Sequence, residues 1–97
     1  MTNYFLKVRC MNLLNIKKVE IGKQIRKYRC HLGLAQTRLA KKLKVSPQFL
    51  GHIEKGKIGC PENILKILIQ ELGLNKKEIK KIFQDAVNEQ VDELFGT

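Results

Sequence analysis

Between positions 36 and 53 the apolar residues fall at Leu39, Ala40, Leu43, Val45, Leu50 and Ile53. That spacing packs two short helices at a steep angle across a three-residue turn. Ala40 is the tightest constraint in it. Where two helices cross closely there is room only for a methyl group, so a small residue flanked by Leu39 and Leu43 is a packing requirement. The rest of the chain has to cover that crossing.

From Val19 onward the apolar period is helical throughout, interrupted by glycine or proline at short intervals, which predicts an all-α domain. Helix one is expected from about Val19 to Leu32, burying Ile21, Ile25, Tyr28 and Leu32, with Gly33 as a left-handed stop. Helix two covers Gln36 to Leu43, with Thr37, Arg38, Lys41 and Lys42 on the solvated face. Helix three occupies 46–55: the Ser46 hydroxyl caps free amides, Pro47 suits the first helical position, and Gly56 ends it. Helix four begins near Pro61, turns Ile64, Leu65, Leu68 and Leu72 inward and stops at Gly73. Asn75 and Glu78 approximate a capping box for helix five, whose stripe runs through Ile79, Ile82, Phe83, Ala86, Val87, Val91 and Leu94. Five helices result, arranged as a core domain at 19–83 and an acidic C-terminal extension at 84–97. Residues 1–18 form an N-terminal arm. In it Tyr4, Leu6, Val8 and Cys10 alternate with Lys7 and Arg9 as in a strand, yet no second strand is available. The arm is therefore disordered, helical against the core, or paired with a second protomer, and Met11 is an alternative start.

Ninety-seven residues suit one domain of modest core, and 43% hydrophobic content is enough to fold it. Charge is distributed unevenly. All 19 basic residues lie at or before Lys81, giving residues 1–81 a net +14, whereas Asp85, Glu89, Asp92 and Glu93 leave the remainder at −4. A basic body suits a polyanion, since each phosphate neutralised releases condensed counterions, although ribosomal and membrane-surface proteins share this balance. Cys10, Cys30 and Cys60 include no pair at metal or redox spacing, so they read as reduced, space-filling thiols, and no cofactor or metal is implied. No apolar run approaches the roughly 18 residues of a membrane span, and Lys7 and Arg9 interrupt the stretch a signal peptide would need. The expected location is the cytoplasm.

The run Ile21-Gly22-Lys23-Gln24-Ile25-Arg26-Lys27-Tyr28-Arg29, followed by Gln36-Thr37-Arg38-Leu39-Ala40, resembles the Xre family, the Cro and phage-repressor type of helix-turn-helix. So does Val45-Ser46-Pro47-Gln48-Phe49-Leu50-Gly51-His52-Ile53-Glu54-Lys55-Gly56-Lys57, which is similar to the recognition helix and its exit, and Leu65, Leu68 and Leu72-Gly73 follow the fourth helix. Coverage is about residues 20–83. The resemblance implies a compact, lambda-repressor-like five-helix domain that binds double-stranded DNA.

Residue by residue, it implies that Arg29 pairs with Glu54 in a structural, partly buried ion pair. Removing one partner would cost roughly 3 to 5 kcal/mol where burial is complete. It implies that Gln36 donates to a DNA phosphate at a helix N-terminus that favours anions. Ser46, Pro47, Gln48, Phe49, His52 and Lys55 are expected to point away from the Leu50 and Ile53 core face and to meet the groove. Gln48 is the leading base reader, because its amide can both accept from and donate to adenine. His52 donates to a base or phosphate, or is simply solvated. Phe49 contacts a thymine methyl or packs on a neighbour. Lys55 and Lys57 anchor phosphates or remain solvated. Three residues depart from the family pattern: Ala35 replaces a capping hydroxyl, Lys44 stands where glycine makes the turn, and Gly51 interrupts helix three. Each costs about 1 kcal/mol.

The leading expectation is a sequence-specific transcriptional regulator, a repressor from a bacterium, phage or mobile element. It would act as a homodimer paired through Val87, Val91, Leu94 and Phe95. The alternative is an antitoxin that binds a toxin and autoregulates through the same helices. An acidic end on a basic body could also shield the reading face. No cluster of acids, histidines or thiols has catalytic spacing, so an enzyme is not expected.

Overall fold

The computed structural model describes the backbone of residues 14–95 and the side chains of residues 14–89. Five helices follow one another: α1 at Lys18–His31, α2 at Gln36–Leu43, α3 at Pro47–Glu54, α4 at Glu62–Gln70 and α5 at Lys76–Phe95. A single helical turn at residues 14–16 precedes them, and there is no strand among the described residues. The strand-like part of the N-terminal arm, with Met11, lies outside the described residues. At 14–18 the chain is already helical at 14–16, and α1 starts at Lys18. Leu14 is buried in the core, so this end of the arm packs against the helices.

Local chemistry accounts for most of the boundaries. Ser46 Oγ accepts from the Phe49 amide at 3.1 Å, and Pro47 occupies the first helical position of α3. Asn75 Oδ1 accepts from the Lys77 amide at 3.0 Å, one residue short of the Glu78 amide that a full capping box would engage. Ala35 gives α2 no side-chain cap. Lys44 ends α2 in the left-handed region, φ 59°. Gly56 closes α3 at φ +75°, and a β-carbon there would also lie 2.8 Å from the Val19 Cα, so conformation and space both demand glycine.

Ile21, Ile25, Leu39, Ala40, Leu50, Ile53 and Leu68 are essentially inaccessible, each large side chain contributing about 1.5 to 3 kcal/mol of burial. Around them Ile64, Leu65, Leu74 and Ile79 close the core from α4, the following turn and α5. α3 packs on α1 and α2, and α5 packs on α1. The α1–α3 contact is backbone to backbone. A β-carbon on Gly22 would collide with the carbonyl oxygen of Ile53 and lie 2.9 Å from that of Glu54.

One expected core residue is not in the core. Leu32 is 44% exposed, because α1 closes at His31 and the chain reverses through Gly33, bringing Leu34 against the core in its place. Tyr28 is half-buried and its hydroxyl donates to the Leu72 carbonyl, joining α1 to the end of α4. In α5, Ile79 and Ala86 are buried and Ile82, Phe83 and Val87 half-buried. Val91, Leu94 and Phe95 lie outside the described side chains. Glu89, one acid of the C-terminal extension, meets Lys17 Nζ at 3.0 Å and so turns toward the start of α1.

Candidate nucleic-acid interface

The sequence of α3 divides it into two faces. Leu50 and Ile53, three apart, sink fully into the core, and Glu54 beside them is only 6% exposed. Ser46, Pro47, Gln48 and His52 are exposed on the other side, and Lys55 and Lys57 are exposed at the helix exit. Six of the expected contact residues are therefore brought together along one short helix and its exit. Phe49 differs. It is half-buried and packs against the core, because it lies four residues before Ile53 and one before Leu50, on the edge of the buried stripe. Of its two alternatives, neighbour packing is what the geometry holds.

Glu54 fixes this helix on the domain. Arg29 Nε donates to Glu54 Oε2 at 2.7 Å and Arg29 Nη2 donates to Oε1 at 3.0 Å, a two-pronged pair, while Nη1 donates to the Leu34 carbonyl at 3.0 Å. The hydrogen bond to Glu54 holds the Arg29 guanidinium above its ordinary value, against the opposing effect of burial. One guanidinium thereby ties α1 both to α3 and to the segment leading into α2.

Gln36, expected at a phosphate, is half-buried, and its Nε2 donates to Glu54 Oε1 at 3.2 Å. Its side chain lies over Gly51. Neither contact was anticipated from the residues, nor was the passage of α1 over α3 at Gly22. The available signal was a glycine inside each of two amphipathic helices, where alanine would be the better helix former. On the exposed face of α2, the helix before α3, stand Arg38, Lys41 and Lys42, with Lys44 in the turn.

This arrangement can present hydrogen-bonding side chains to a groove and cations to the flanking backbone, the division of labour that duplex DNA requires. Among the described residues, no group of three His, Cys, Asp or Glu could hold a metal ion, and no helix is long and apolar enough to cross a membrane. Cys60 is buried, and burial pushes its thiol up to about 12. That protonated, enclosed thiol suits packing and not nucleophilic chemistry. A family model of the helix-turn-helix, HTH_3, matches residues 25–79, from the middle of α1 into the first turn of α5. No curated protein and no solved structure matches the chain.

Proposed function

Because the chain belongs to the HTH_3 family, the Xre and Cro type of helix-turn-helix and a family of DNA-binding regulators, we propose that it is a sequence-specific transcriptional repressor laying α3 in the major groove of duplex DNA. The observation that supports this most is the two-faced character of α3: Leu50 and Ile53 are inaccessible while Ser46, Pro47, Gln48 and His52 are exposed.

In this reading Gln48 carries the sequence information. Its amide can bridge N6 and N7 of an adenine, worth about 1 to 3 kcal/mol of discrimination. Ser46, Pro47 and His52 line the groove beside it, and Phe49 supplies shape at its edge. Lys55 and Lys57 hold the backbone phosphates, as does Gln36 at the start of α2. A homodimer would place two copies of α3 in successive major grooves, on half-sites about one helical turn apart. The length of α5, 20 residues against nine in α4, supports a pairing surface on its distal half.

Selection of bound sites from random duplex DNA at about 150 mM salt, where non-specific phosphate binding is much weakened, tests the proposal. The expected product is an inverted repeat whose half-site contains an adenine that Gln48→Ala ceases to select. A folded protein that enriches no motif would refute sequence-specific repression.

A further inference from the structure

Gly51 lies in the interior of α3, where alanine would favour the helix, and it is buried. The space its side chain would take is bordered by the Gln36 amide. A β-carbon on Gly51 would stand 3.3 Å from Gln36 Nε2, 3.5 Å from Oε1 and 3.6 Å from Cδ. The contact with Nε2 would be tight, and the amide would have to give by a few tenths of an ångström, whereas the other two distances are ordinary contacts. The amide is held there because Nε2 donates to Glu54 Oε1 at 3.2 Å, and Glu54 is itself clamped by Arg29.

An amide nitrogen carries two hydrogens. Glu54 accepts one of them. The second is available to another acceptor at the N-terminus of α2, where Ala35 supplies no cap and the first backbone amides favour an anion.

We propose that Gly51 is a positioning residue for the DNA backbone contact: lacking a side chain, it leaves the lane in which Glu54 holds the Gln36 amide with one N–H on the carboxylate and the other presented to a phosphate. This rests on the reading above, that the start of α2 meets the DNA backbone. Gln36 is thereby set before DNA arrives, so little side-chain freedom is lost on binding. Glycine at 51 sacrifices helix propensity for that alignment.

A double-mutant cycle on the full chain separates the two ideas. Wild type, Gln36→Ala, Gly51→Ala and the double variant are titrated with a mixed-sequence duplex at low salt, and each is melted without DNA. Gln36→Ala is expected to lose about five- to tenfold in affinity, the scale of one ordinary net hydrogen bond. Gly51→Ala should lose a smaller factor, about two- to fivefold, while melting no lower than wild type, and should lose almost nothing once Gln36 is already alanine. Gly51→Ser, which adds the same β-carbon, should show the same dependence on background. The salt slope should not change in any of them, because no cation is removed. Gly51→Ala binding as tightly as wild type, or losing equally in both backgrounds, overturns the positioning role. Gln36→Ala binding as wild type overturns the phosphate contact itself.

Discussion

Glu54 accepts from Arg29 and from Gln36 while almost wholly shielded from water, so side chains from α1, α2 and α3 meet at one carboxylate. Removing either charge strands the other. Arg29→Met or Glu54→Leu is expected to cost about 3 kcal/mol of unfolding free energy in urea titrations, with the two changes combined recovering part of it. A double variant no better than the worse single one would show that the pair is not the source of the loss. Cys60 makes stability depend on pH. Its folded thiol sits near 12, whereas an unfolded thiol ionises near 8.5. The unfolded chain therefore binds fewer protons above that lower value. Stability due to this group is complete below about pH 8.5 and falls as pH rises toward 12. Between about pH 8.5 and 10 the urea midpoint should fall more in wild type than in Cys60→Ala, and parallel declines would contradict it. Exposed Cys30 should be alkylated in the native protein before Cys60.

The helices differ in how far their own residues announce them. Ends are local events: the Ser46 cap, Pro47 behind it, and the positive φ of Gly33, Gly56 and Gly73 each depend on a few neighbouring atoms, and all stand plainly in the sequence. Faces are nearly as legible, since a buried stripe repeats at three and four; Leu32 is misplaced only because the helix ends before it, and Phe49 sits at the stripe's edge. The crossings are different. Gly22 against Ile53 and Gly51 under Gln36 depend on how closely two distant segments approach, and no period in either helix carries that distance. Leu14 escapes for the same reason, its burial being set by helices that come later in the chain. Lys44→Gly relieves a left-handed residue and should raise stability by up to about 1 kcal/mol. Gly22→Ala forces α1 off α3 and should lower it by more than about 2 kcal/mol, despite improving helix propensity. Thermal melts of the pair read both signs, and a neutral Gly22→Ala would contradict the close crossing.

At the scale of the molecule, the basic body and the acidic end are joined by one helix. α5 is about 30 Å long at 1.5 Å per residue, roughly twice α4. Its first three turns bury Ile79 and Ala86 on the domain, and Lys17 holds Glu89 near the start of α1. Beyond Ala86, the sequence continues the apolar repeat at Val87, Val91 and Leu94, a stripe long enough for a second helix of the same kind. Two copies paired along it would share a two-fold axis and present two α3 helices to an inverted repeat. On this argument, sedimentation at micromolar concentration should give a dimer. Val91→Glu combined with Leu94→Glu should give a monomer, since two buried carboxylates per chain would face their symmetry mates. The HTH_3 region, residues 25–79, lies outside the substitution, so the monomer should keep its helical content. It should still bind a single half-site, but lose the gain in affinity that an inverted repeat gives over that half-site. A wild-type chain that sediments as a monomer, or a double variant that still prefers the inverted repeat, would remove α5 as the dimer contact.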